Sequence, residues 1–306
     1  MNMRMSWFNL MAFCFLSFML SSFLEPVNKG DVNIEGASDT IPQTIQPVDL
    51  KSEFNFAGEK LPLDNFDVRE RLDREMHVNT FWQSSTILNI KNAAKYFPVI
   101  EKILEEQGVP QDFKYLAVAE SALRNAVSPS GARGIWQFLR SSAREKGLEV
   151  NSDIDERYNI ELATRAACEY LKENYDRFGS WTLAAAAYNT GPTRLAREME
   201  NQKEDSYYDL NLSEETMRYV FRIVALKEIM THPDDYGYRI DHEDIYPPLK
   251  DYTIMDVDYQ IDDLADFAHD NGTSYRLLKV FNPWLRTSRL PNQSRKLYYI
   301  KIPEDI

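Results

Sequence analysis

Glu120 closes an apolar helical run in the sequence Ala119-Glu120-Ser121-Ala122. A turn at Ser128-Pro129-Ser130-Gly131 follows, then Gly134-Ile135-Trp136-Gln137-Phe138, and later Ala187-Tyr188-Asn189-Thr190-Gly191. A carboxylic acid protonates a leaving oxygen at neutral pH only where desolvation raises its pKa. Glu120, set among apolar neighbours, is placed for that, although a lone helix glutamate is ordinarily a solvated surface charge. An acid of this kind, followed by loops carrying glycines, aromatic rings and amides, suits a cleft that cleaves a sugar–sugar bond.

The elements that must hold these residues are helices. From about residue 66 the pattern turns helical. Pro98 is predicted at the first turn of a helix whose apolar positions are Ile100, Ile103 and Leu104, with Gly108 as its stop. Pro110 opens the next helix, with Asp112 in its first turn and Phe113, Leu116, Ala117 and Ala119 leading to Glu120. Periodic stretches over 160–175, 181–188 and 213–230 predict three more helices, the first ended by Gly179 and the last capped by Ser213. The alanines of 184–187 allow close packing, which predicts a central, buried helix. After a Tyr-rich acidic connector at 233–250, the tail predicts a strand over 252–257, helices over 261–269 and 275–280, and a closing strand over 297–302.

The 306-residue chain is acidic, with a formal net charge of −13. That balance excludes nucleic acid as a partner, because there is no basic patch to release counterions. Residues 6–24 are almost wholly apolar behind Arg4, which reads as a secretory signal or as an anchor of nearly bilayer-spanning length. The rest of the chain is then exported to the cell envelope, with membrane association through the N-terminal segment if it is retained. Residues 25–65, with four prolines among polar residues, read as a flexible tether. After the signal only Cys168 remains, so no internal disulfide is available and the cysteine reads as a small buried hydrophobe. The four histidines lack zinc-ligand spacing. The Asn151–Asp155 run lacks the glycine and the terminal glutamate of a calcium loop. No metal or cofactor is expected.

Over roughly residues 85–230 the chain resembles the lysozyme-like lytic transglycosylases of the SLT family. The resemblance rests on Glu120-Ser121, on Gly134-Ile135-Trp136-Gln137-Phe138 behind Ser128-Pro129-Ser130-Gly131-Ala132, on Ala187-Tyr188-Asn189-Thr190-Gly191, and on Met217-Arg218-Tyr219-Val220. Each motif is weak alone; their order and spacing together are specific. The resemblance implies a mainly α, lysozyme-like catalytic domain over 66–232. A small mixed α/β extension over 251–306 would follow, either LysM-like, since Asn282-Pro283-Trp284-Leu285-Arg286 is similar to the Asn-Pro turn of LysM modules, or a packing extension of the catalytic domain.

It also implies that Glu120 is the sole catalytic acid and then base on peptidoglycan glycan strands. The muramoyl 6-hydroxyl would attack C1 to leave a 1,6-anhydro end. A substrate-borne nucleophile explains why no second carboxylate is evident, where a hydrolase needs a partner at about 5–9.5 Å. Asp153, Asp155 and Glu156 are the nearest in sequence, and they read as the start of the following helix. The remaining candidates each have a structural alternative. Gln137 could bond a sugar or brace its loop, and Ser121 could orient Glu120 or bond its own helix. Tyr188 and Tyr219 could bond the acid, the sugar or the core, and Asn189 could bind substrate or cap its helix. Trp136 could stack on a sugar or fill the core. A water-using muramidase and a non-catalytic wall-binding protein are the competing readings.

Overall fold

A computed structural model describes residues 46–304. The signal or anchor read over 1–24, and the first part of the tether, lie outside the described residues. The described part of that tether is not free. Asn55–Phe56 (β1) and Glu59–Lys60 (β2) form an antiparallel hairpin with Phe56 opposite Glu59. Both residues of its Ala57-Gly58 turn have positive φ, the geometry that suits strand twist. Phe54, Phe56 and Leu61 are buried in the main core, a contribution on the order of 5 kcal/mol. Their apolar character outweighs the surrounding prolines and polar residues, so the tether reading is corrected over 54–61 to a docked hairpin.

Helix α1 (Phe66–Phe81) is capped by Asn65, whose side chain accepts from the Asp67 N–H. A one-residue break at Trp82 separates it from α2 (Gln83–Gln107). Pro98 does not open a helix as predicted; it lies inside α2. It is on an exposed position, where water can hydrate the carbonyl deprived of its N–H partner. Ala93, Ile100, Ile103 and Leu104 hold α2 to the core around it. Helix α3 (Phe113–Ser121) starts after Asp112. The Asp112 carboxylate makes no cap; it accepts from the Ala57 N–H and from Lys227 Nζ, each at 2.7 Å, and so ties down the hairpin.

After the short α4 (Arg140–Glu145), α5 (Ile160–Phe178) begins at the Asn159 cap and ends at Gly179. Helix α6 (Trp181–Thr190) is the central helix, with Leu183 through Ala187 all buried. Its small side chains let α5, α7 (Pro192–Gln202) and α8 (Glu214–Thr231) pack against it. Glu59 of β2 holds its N-terminus, accepting from Trp181 N–H (2.6 Å), Thr182 N–H (2.9 Å), Thr182 Oγ1 (2.6 Å) and Ser180 Oγ (2.8 Å). A carboxylate there satisfies free N–H groups and meets the positive end of the helix dipole. Helix α8, capped by Ser213, packs against α1, α3 and α6.

The chain ends in two antiparallel strands, β3 (Tyr252–Val257) and β4 (Tyr298–Pro303), with Val257 opposite Tyr298. Between them run α9 (Leu264–Asp270) and α10 (Tyr275–Phe281). α9 starts later than predicted because Asp263 caps it, while Ile261 bridges to Leu290 as an extended residue. The core of this unit, built on Val257, Leu264, Leu278 and Ile300, also takes in Ile154 and Tyr158 from the helical body. The molecule is thus mainly α with a small mixed α/β C-terminal unit. Among the described residues no helix is long and apolar enough to cross a membrane.

Candidate active site

Glu120 lies in the last turn of α3. The chain bends sharply just beyond it, because Ala122 and Leu123 both adopt left-handed conformations, φ 54° and 56°. Non-glycine residues pay about 1–2 kcal/mol each for that backbone. Two contacts hold the bend: the Ala122 N–H donates to Val118 O (2.8 Å), and Asn92 donates to Ala122 O (3.2 Å). Ser121 is buried and its hydroxyl donates to Ile135 O (2.8 Å), which ties α3 to the loop that follows.

That loop is set by Gly134 and Arg157. Gly134 has φ +80°, and a Cβ on it would sit 1.9 Å from Arg157 O, so no larger residue fits without moving backbone. The buried Arg157 guanidinium grips both oxygens of Asp155 (2.8 Å each) and donates to Gly131 O (3.2 Å) and Phe138 O (3.1 Å). Trp136 is fully buried and its indole donates to Thr164 Oγ1 (2.8 Å), the core role of its two alternatives. Gln137 has φ 50°, and its amide nitrogen donates to Gly134 O (2.7 Å) and Ala126 O (3.2 Å). It braces the loop and also lines the cleft. Asp153, Asp155 and Glu156 do not line the hollows around Glu120. Asp155 caps a separate 3-10 turn over Glu156–Tyr158, not α5 itself.

Across the cleft, Tyr219 on α8 donates its phenol hydrogen to Glu120 Oε1. Tyr188 on α6 shares the cavity, but its hydroxyl donates to Trp136 O (2.7 Å). Asn189 links α6 to α8: its Oδ1 accepts from Thr216 Oγ1 (2.8 Å) and its Nδ2 is 3.4 Å from Glu215 Oε1. Burial pushes the Glu120 carboxyl up to about 7; the Tyr219 hydrogen bond opposes that, the Glu215 charge reinforces it and Arg222 opposes it. Burial likewise holds both Tyr188 and Tyr219 well above the usual phenol range, so they remain donors. Cys168 is buried and its thiol is pushed up to about 12, which leaves it inert.

Glu120 stands where two hollows meet. One, of about 670 Å³, is lined by Tyr170, Tyr188, Asn189, Glu215 and Tyr219; the other, of about 540 Å³, by Glu75, Trp82, Asn89, Arg124 and Arg218. Ala119, Glu120, Ser128, Gln137 and Arg222 border both. The sequence reading missed Glu215, Arg222 and Trp82. Glu215, Tyr219 and Arg222 fall four and three residues apart on one helix face, so the spacing around Tyr219 held the signal for two of them. Trp82, 61% exposed between two helices, had no periodic pattern to mark it. Among the described residues no cluster of His, Cys, Asp and Glu could hold a metal ion.

A buried carboxyl pushed up to about 7, a phenol bonded to it and a hollow on either side are thus gathered in one helical domain. Residues 97–211 match the family described as the transglycosylase SLT domain, and residues 253–306 match the soluble lytic transglycosylase C-terminal LysM-like domain. The first of these matches takes in Glu120, Ser121, Gln137, Tyr188 and Asn189. It is similar to the membrane-bound lytic murein transglycosylase D of Escherichia coli, 27% identical over 258 residues, which cover 81% of this chain and 55% of that protein. The chain therefore spans about half the length of this curated relative. It is also 32% identical over 130 residues to the peptidoglycan transglycosylase of Escherichia phage T7, covering 41% of this chain and 10% of that one. Among solved structures, the 70 kDa soluble lytic transglycosylase of Escherichia coli matches with a TM-score of 0.38 at 21% identity, over 47% of this chain and 27% of that one.

Proposed function

We propose that this protein is a peptidoglycan lytic transglycosylase that cuts the bond between N-acetylmuramic acid and N-acetylglucosamine. The observation that carries the reading is the buried Glu120, its pKa pushed up to about 7 and its carboxyl bonded to Tyr219, at the junction of two hollows. A polymer cut internally needs sugars on both sides of the acid, and the two hollows supply that room. Glu120 gives its proton to the leaving glycosidic oxygen as positive charge develops at C1. The Tyr219 phenol and the Arg222 guanidinium then meet the carboxylate left behind. That carboxylate takes the proton of the muramoyl 6-hydroxyl as its oxygen closes on C1, which leaves a 1,6-anhydro end and restores the acid. Proton count is conserved and no water is consumed.

In this reading Gln137, Tyr188 and Asn189 present polar groups to the sugar, Ser121 supports from behind, and Trp82 offers an exposed ring face to a pyranose. The LysM-like unit supports a wall substrate, and the membrane-bound relative supports an envelope location. Digestion of purified sacculi followed by mass spectrometry tests the reading. Anhydromuropeptides from the wild type and none from Glu120→Gln are the expected result.

A second reading has one observation in its favour: Glu215 lies on the wall of the same cavity as Glu120. A second carboxylate could activate water and make the enzyme a muramidase. Products heavier by one water, with reducing ends, would establish that chemistry instead.

A further inference from the structure

Glu75 of α1 is a buried carboxylate on the wall of the second hollow. Its Oε1 accepts from Arg218 Nε at 2.6 Å, and its Oε2 has no hydrogen-bond partner but lies 3.7 Å from Arg222 Nε. Arg218 and Arg222 are one turn apart on α8 and flank Tyr219, the residue bonded to Glu120. Arg222 borders both hollows beside Glu120, yet among the described residues it pairs with Glu75 and not with Glu120. An isolated buried carboxylate costs several kcal/mol, so Glu75 is tolerated only with these guanidiniums in place. Glu75 also lies outside the residues matched by the family domain.

We propose that Glu75 is a positioning residue that restrains Arg222. It holds the guanidinium close enough to meet the charge left on Glu120 after proton donation, and far enough away that Glu120 rests protonated. The inference rests on the reading of Glu120 as the acid. Without Glu75, Arg222 would be free to pair with Glu120 directly and lock it ionised, which removes the proton the reaction needs.

The charged and titratable groups around Glu120 are Tyr219, Glu215 and Arg222 from α8 and Tyr188 from α6. Those around Glu75 are Arg218 and Arg222 from α8, with Tyr207 near it, and Glu214 reaches Arg218 at 3.8 Å. Of these, only Arg222 answers to both carboxylates. That gives the two substitutions opposite signs.

The test is the pH dependence of kcat/KM on sacculi for Glu75→Gln, Arg222→Gln and the double variant, with Glu120→Gln as control. Glu75→Gln should move the alkaline limb down by about half a pH unit or more. Arg222→Gln should move it up, and in that background Glu75→Gln should have no further effect on the limb. Limbs that stay in place, or move in the same direction, overturn the proposal. If Glu75→Gln fails to fold, Glu75→Asp takes its place: a wild-type limb in that variant with an upward shift in Arg222→Gln supports the proposal, and an unshifted limb in Arg222→Gln overturns it. An active Glu120→Gln would instead defeat the acid assignment itself, so the two failures are distinguishable.

Discussion

Tyr219 and Glu120 are 99 residues apart in the chain, yet the phenol of one donates directly to the carboxyl of the other. The contact spans the cleft from α8 to α3, so the acid is assembled only when those two helices pack. Tyr219→Phe removes the donor without changing the ring. Because that hydrogen bond lowers the Glu120 pKa, the alkaline limb of kcat/KM should move up. The carboxylate formed on proton donation loses a charge-assisted bond of about 1.5–3 kcal/mol, so kcat should fall roughly 10- to 100-fold. A limb that moves down would contradict this geometry.

Glu120 also makes stability depend on pH, with a sign opposite to that of an ion-paired carboxylate. Its pKa is about 7 folded against an ordinary 4.5, so between those values the folded state keeps a proton that the unfolded state releases. Stability contributed by the neutral acid is full below pH 4.5 and declines as pH rises towards 7. Glu120→Gln removes this dependence. Urea titrations at pH 8 should find this variant more stable than wild type by roughly 3 kcal/mol, and the difference should vanish at pH 4.

Gly134→Ala places a methyl 1.9 Å from Arg157 O and asks alanine to hold φ +80°. The loop must shift, and Gln137 with it. A loss of more than about tenfold in kcat is expected with the helical circular dichroism retained, since a displacement near 1 Å at a site can cost about 100-fold. Wild-type turnover would show that the loop tolerates the movement.

The β-hairpin can be tested through Glu59, which makes four hydrogen bonds at the start of α6. Glu59→Ala leaves those donors without their partner and should lower stability by about 2–4 kcal/mol. Chemical denaturation reads that loss, and an unchanged midpoint would return 54–61 to the status of a loose tether.

Most of the helices, and the place of Glu120 at the end of one, were legible in the sequence because both depend on local pattern. Glu120 stood at the end of an apolar run, Gly179 ended a periodic stretch, and Ser213 capped one. What stayed hidden depended on distant contacts. Phe56 lies in the segment read as a tether because the ring it packs on, Phe113 of α3, comes from far along the chain. Pro98 was read as a helix start from its local rule, and packing on both sides of it overrode that rule. Gln137 and Asn189 stand in the sequence as candidates with two roles each, and the bonds to Gly134, Ala126 and Thr216 follow from loop and helix placement alone. Glu75 could not be singled out, since nothing in its own helix marks it; its partners lie 143 residues away or further.

Ile154 and Tyr158 sit in the core of the C-terminal unit although the helical body supplies them. The unit is for that reason not portable. Grafted onto another protein, it would arrive without two of its own interior side chains. A body cut before residue 251 would in turn expose an isoleucine and a tyrosine next to Arg157, the residue that grips the Gly131–Phe138 loop. Shuffling the two modules as independent cassettes would therefore damage both halves at once.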